Sequence, residues 1–257
     1  MTNWTRLRLA LSGTALLGAL APVPGRAEDA AARELVQKVR DTAPKTPFAA
    51  KGKLSSDRGF VRELDLKHKH LNDTEASLME VTAPLDLKDT RFLLLDREKG
   101  QDEQYIYSPA ARRAVRVGPQ TRKQAFLGTE FAVGDLVQPE VDDATYRLVG
   151  DEDVGGRKCR LVEATPKDTE DAMYSKTIAA IDPTDLLVMK TQLFDDKGEL
   201  YKVWTLVKAE KIDGVWTPVV QRMEDVQEKH WSEIELSEVK YNADIPDDTF
   251  SRQNLTR

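Results

Sequence analysis

The hydrophobic and polar positions follow two periods along the chain. "AEDAAARELVQKVRDTA" sets Leu35, Val36 and Val39 at helical spacing, with acids at its start and Lys38 and Arg40 near its end. That order suits the helix dipole, and Pro44 and Pro47 stop the helix. Beyond it the period drops to two. "FVRELDLKHKH" puts Phe60, Arg62, Leu64 and Leu66 on one parity, and "TEASLMEVTAP", "TRFLLLDREKG", "EQYIYSP" and "RRAVRVGP" follow as short runs ending at Gly, Pro or Asp. In the second half Gly155-Gly156, Asp182-Pro183-Thr184-Asp185, Asp196-Lys197-Gly198 and Asp213-Gly214 punctuate longer runs of the same kind. The pattern predicts a mainly β chain with minor α: a meander of about eleven antiparallel strands and one clear helix. A sheet of that size must curl, close or split. The closing "IPDDTFSRQNL" reads as a tail or short helix that packs Phe250 on the body. No linker or repeat interrupts the chain, so residues 28–257 form one domain.

Several strands are apolar on both parities. "RFLLLD" and "DLLVMK" hold three or more consecutive large aliphatics, and Trp204, Trp216 and Trp231 fall on successive long strands. An antiparallel strand of this kind is either covered on both faces or faces a cavity on one of them. A packed sandwich core satisfies the first case. A curled sheet around an apolar pocket satisfies the second, with Leu64, Leu66, Phe92, Leu94, Trp204, Leu206 and Trp216 as its candidate lining.

Residues 1–27 read as a cleaved signal peptide: a basic start, the apolar "LALSGTALLGALAPVP", then small residues at Gly25 and Ala27. Gly and Pro make the apolar stretch too short and broken for a membrane span. The expected location is the periplasm. The full chain carries a net charge of −6, and cleavage removes Arg6, Arg8 and Arg26 but no acid. That balance argues against a nucleic-acid binder, which needs a basic face. The single cysteine, Cys159, lies in the alternating "RKCRLVEA" and reads as a buried strand residue. No nucleophile elbow, zinc helix or phosphate loop is present. His68 and His70 share a strand face, but no third ligand accompanies them, so they read as solvated strand residues and no metal site or cofactor is expected. No catalytic residues are assigned.

One segment breaks the acidic balance. In "YSPAARRAVRVGPQTRKQAFLGTEFAVGDL", Tyr107–Leu136, five cations stand at Arg112, Arg113, Arg116, Arg122 and Lys123, with no acid until Glu130. This segment resembles the outer-membrane lipoprotein-sorting protein family, the LolA-like periplasmic carriers, and within it the larger branch associated with RND-type inner-membrane exporters. The likeness rests on Tyr107, Pro109, Ala110, Arg112, Arg113, Arg116, Phe126, Gly128, Thr129, Glu130 and Phe131, and extends to the closing "IPDDTFSRQNL". Where that branch often continues with an aromatic-acid pair, this chain has Ala132, Val133 and Gly134 before Asp135. The resemblance implies a half-open, strongly curved β-barrel whose helices close the mouth and whose apolar interior ferries acyl chains of a lipid or lipoprotein. It implies an exporter at the inner membrane and an acceptor at the outer membrane as partners of a monomeric, non-enzymatic carrier. Arg112, Arg113 and Arg116 would stand on one strand near the mouth, Arg112 and Arg116 on one face, with Phe126, Leu127 and Phe131 as a mobile apolar lid. Two rival readings remain: an adaptor or sensor that docks on a transporter without lipid, favoured by a filled interior, and a lipid-acting enzyme using His68 or His70.

Overall fold

The computed structural model describes residues 28–97, 102–137, 140–170 and 172–256; the expected signal peptide lies outside the described residues. Helix α1 spans Ala30–Asp41, with the Asp29 side chain accepting from the Ala31 N–H at its start. Six strands follow: β1 (Phe48–Ser56), β2 (Val61–Leu71), β3 (Thr74–Ala83), β4 (Arg91–Arg97), β5 (Glu103–Ser108) and β6 (Arg113–Arg116). A long connection holds the single-turn helix α2 (Pro119–Arg122) and short 3-10 turns. Seven more strands complete the sheet: β7 (Ala144–Val154), β8 (Arg157–Pro166), β9 (Lys176–Asp182), β10 (Leu187–Phe194), β11 (Leu200–Ile212), β12 (Val215–Asp225) and β13 (His230–Tyr241). Helix α3, Arg252–Leu255, closes the chain.

All thirteen strands form one antiparallel sheet in the order β6-β5-β4-β3-β2-β1-β13-β12-β11-β10-β9-β8-β7. Two meanders therefore join through the pairing of β1 with β13, where Leu54 lies opposite Ile234 and Ser56 opposite Ser232. The sheet curls but does not close; β6 and β7 are its edges. The count exceeds the expected eleven, and β1 carries little alternating signal. Its inward positions include Ala50 and Gly52, and Gly52 lets the neighbouring strand approach. A Cβ there would lie 2.6 Å from Leu64 Cδ1 and 2.7 Å from Leu66 Cδ1. Gly52→Ala is accordingly expected to cost about 1–3 kcal/mol through overpacking, read as a lower urea midpoint with unchanged slope.

Of the two strands that read as apolar on both parities, β4 is covered on both faces, whereas β10 packs Val188 toward α1 and leaves Leu187 and Met189 half-buried on an open cleft. From β3 to β5, Met79, Val81, Phe92 and Leu94 point into the concave side. On the other side Leu78, Leu93 and Tyr105 pack under Ile245, Phe250 and Leu255 of the C-terminal segment. Phe250 is buried there, as the sequence predicts. In the second meander α1 lays Leu35, Val36 and Val39 against Tyr146, Val162 and Ile181. Cys159 is 1% exposed on β8, and burial pushes its thiol pKa up.

Candidate functional site

The concave face is the candidate site, and the connection between β6 and β7 occupies it. Ala125 bridges to Ala132, and the Phe126 N–H donates to the Phe131 carbonyl at 2.7 Å, so residues 124–133 form a tight hairpin. Thr129 Oγ1 donates to the Phe126 carbonyl at 2.6 Å, and Leu127 and Gly128 take left-handed backbone (φ 51° and 78°) at the tip. The hairpin is thus braced internally before it touches the sheet.

Its apolar side chains enter one cluster with the sheet. Phe126 and Phe131 are 1% and 3% exposed, and Val133 is buried beside them. They pack with Leu54, Leu64, Met79, Val81, Phe92, Leu94, Leu193 and Met223. The Phe126 ring meets Phe92 edge-on with centroids 4.8 Å apart. Leu66, Leu127 and Trp204 are partly buried at the margin of the same cluster. The structure therefore brings Leu64, Leu66, Phe92, Leu94 and Trp204 together with Phe126, Leu127 and Phe131. Both phenylalanine rings are buried in this cluster on the concave face. Leu206 and Trp216 lie elsewhere: with Arg157, Leu187, Met189 and Ala209 they line an open cleft of about 270 Å³ between β10, β11 and β12. Arg157 and Lys211 both stand over the Trp216 ring, at 5.5 and 5.8 Å.

Polar anchors fasten the hairpin to both meanders. Glu130, 6% exposed, accepts from Arg58 in the β1–β2 turn and from Ser232 on β13. Arg58 also donates to the Gly128 carbonyl at 3.1 Å, and Lys202 Nζ on β11 donates to the Glu130 carbonyl at 2.6 Å. Lys202 is 7% exposed, and burial draws its pKa down against the pull of Asp135, Asp225 and Glu130. Asp135 accepts from the Ala132 N–H at 2.7 Å and from Tyr174 Oη at 2.9 Å. Burial raises the Asp135 pKa despite these donors and Lys202. Sequence reasoning misses Arg58, Tyr174, Lys202 and Ser232. Lys202 had a signal: it shares the parity of Trp204 and Leu206, and a lysine on an apolar strand face must find buried acceptors.

The arginines are split. Arg112 stands in the β5–β6 turn with φ 50°, not on a strand, because the chain reverses there after Pro109. Arg113 and Arg116 lie on β6 on opposite faces, opposite Ser108 and Tyr105, and all three are exposed. Arg116 Nη2 donates to the Asp102 carbonyl at 3.2 Å.

A polar cluster occupies the end of the first meander away from these anchors. His68 and His70 share a face, as expected, but are partly buried, not solvated, and both meet Glu75, at 3.0 and 2.7 Å. Burial pushes the Glu75 carboxyl up, but the two histidines outweigh it and hold the pKa low. Asp96, paired with Glu75 across β3 and β4, is pushed up to about 6 by burial and by the neighbouring Asp102, against Arg40 at 4.0 Å. Its carboxyl carbon is expected to titrate near that value by NMR, well above an ordinary aspartate. Among the described residues no group of three or more His, Cys, Asp or Glu is arranged to hold a metal ion, and no helix is long and apolar enough to cross a membrane.

A family model described as an uncharacterized protein matches residues 73–257, well over half of the chain. The chain belongs to that family. Its fold is LolA-like. A DUF1329 family protein from Desulfovibrio piger superposes with a TM-score of 0.82 at 25% identity, covering 88% of this chain and 98% of that one. A candidate outer-membrane lipoprotein-sorting protein domain from Vibrio parahaemolyticus gives 0.82 at 23% identity, covering 88% and 99%. A LolA superfamily protein from Nitrosomonas europaea gives 0.69 at 19% identity, covering 87% and 98%. No curated protein matches the chain.

Proposed function

We propose that this protein is a periplasmic, non-enzymatic carrier that binds acyl chains of a lipid or lipoprotein on the concave face, and that the 124–136 hairpin is a plug the cargo displaces. The observation that carries the reading is the burial of this hairpin on the concave face. Phe126, Leu127, Phe131 and Val133 sit on an apolar surface drawn from both meanders, in the place an acyl chain would take. Transfer of a chain from water to such a surface is favourable by about 0.8 kcal/mol per CH₂. The resident hairpin offsets part of that gain, which keeps binding reversible and allows release. An inner-membrane RND-type exporter as donor and an outer-membrane acceptor belong to the same proposal.

One observation favours the adaptor reading: the concave face is filled. Both readings meet in one experiment. Glu130→Cys with Ser232→Cys places two thiols where the plug meets β13, while Cys159 stays buried. Oxidised, the double variant is expected to take up no cis-parinaric acid; reduced, it should bind it with a fluorescence rise. Equal uptake in both states removes the plug from the mechanism. No uptake in either state, nor by the unmodified protein, puts the adaptor first.

A further inference from the structure

The β6 edge of the sheet combines three features that fit a protein partner. It is one of two open edges of a thirteen-stranded sheet. The Val117 N–H donates to the Gln104 carbonyl on the β5 side at 2.8 Å. Antiparallel strands alternate, so Val115 and Arg113 also turn their backbone groups to β5, and Ala114 and Arg116 turn theirs outward. The edge therefore presents a short row of ladder donors and acceptors with no strand beside it among the described residues. Its side chains are cationic: Arg113 and Arg116 on opposite faces, with Arg112 in the turn before them. Between the arginines Val115 is 42% exposed, on the Arg113 side. The whole chain is net −6, so this edge stands against its general charge.

We propose that β6 is a docking edge for an extended acidic segment of another protein, which adds to the sheet as a fourteenth strand. Side chains directly opposite one another define the pattern it selects: an acid facing Arg113, a small or neutral residue facing Ala114, an apolar residue facing Val115 and an acid facing Arg116. The two acids fall on opposite faces of the added strand, so a helical or flat anionic surface does not satisfy both. Basic edge residues also discourage strand addition by like or neutral chains. Here the same charges select for an acidic one. The proposal is independent of what the concave face carries.

The probe is a fluorescein-labelled peptide centred on Glu-Val-Thr-Glu, which meets Arg116, Val115, Ala114 and Arg113 in turn when it runs antiparallel to β6; it is titrated into the full chain by anisotropy, with hydrogen exchange of the Ala114 and Arg116 amides followed by NMR. Binding should protect both amides and weaken as salt rises. Arg113→Glu with Arg116→Glu should weaken it by roughly a hundredfold, about tenfold per reversed charge. Ala114→Pro removes an outward N–H while keeping the ladder to β5 and every charge, a substitution edge strands tolerate. It should weaken binding by about tenfold or more through the lost ladder bond and the ring's bulk. Full binding by Ala114→Pro would mean charge attraction without strand addition and would overturn the proposal. So would failure of the native chain to bind the peptide, or charge-dependent binding to phosphatidylglycerol vesicles with no peptide binding.

Discussion

Phe126→Ala is expected to lower stability by about 3–5 kcal/mol, the range for emptying a fully buried aromatic site. The ring is 1% exposed, contacts Phe92 edge-on and sits within a cluster drawn from both meanders. The hairpin around it is closed by its own hydrogen bonds, so it cannot easily collapse into the space the ring leaves. Urea unfolding should show a much lower midpoint with an unchanged slope. Leu127→Ala is the control. Leu127 lies at the margin of the cluster and is only partly buried, so its truncation should cost well under half as much. Equal, small losses for the two would mean that Phe126 rests on the sheet as a lid and that the concave face is not a continuous core. The functional corollary has the opposite sign. A chain lacking the Phe126 ring should bind cis-parinaric acid more tightly, because the cargo no longer competes with that ring for Phe92 and Leu94.

The strands were legible in the sequence wherever burial is one-sided and turns carry Gly, Pro or Asp. The hairpins at Gly155-Gly156 and Asp213-Gly214 lie where their residues place them. Two features escaped for physical reasons. The small inward residues of β1 make room for Leu64 and Leu66, so the strand that joins the meanders carries the weakest hydrophobic signal. The doubly apolar "RFLLLD" is equally consistent with a cavity or with cover on both faces, since periodicity reports burial and not what does the burying. Cover comes from Phe126 on one side and from Phe250 and Leu255 on the other, both distant in sequence. For the site, the apolar lining around Leu64, Phe92 and Leu94 was legible as apolar positions. The attachment of "FLGTEF" to it was not, because nothing in that segment says that Glu130 meets Arg58 and Ser232, both distant in sequence.

Lys202→Met tests whether those anchors hold the plug. Methionine keeps most of the side-chain stem and removes only the ammonium, so packing around β11 should survive. What remains is the Glu130 carbonyl without its donor, and Asp135 and Asp225 without the cation that attracts both. Removing one partner of a buried charged group costs about 3–5 kcal/mol. Loss of the cost of burying the ammonium itself offsets part of this, which points to the lower end of that range. The pH dependence distinguishes this account from a packing defect. Burial already holds the Asp135 pKa above its ordinary value, and Lys202 restrains it, so the variant raises it further. A carboxyl whose folded pKa exceeds its unfolded value is protonated more readily in the folded state, so stability falls as pH rises through that window and recovers as pH drops. The deficit of Lys202→Met should therefore grow as pH rises through the raised Asp135 pKa and shrink below it, while that of Phe126→Ala stays constant over the same range. A pH-independent deficit would show that Asp135 is held by Ala132 and Tyr174 alone and that Lys202 acts only through the Glu130 carbonyl. With the anchor weakened the plug should leave the sheet more often, so Lys202→Met should also take up cis-parinaric acid faster than the native chain. A slower rate would separate the anchors from cargo entry.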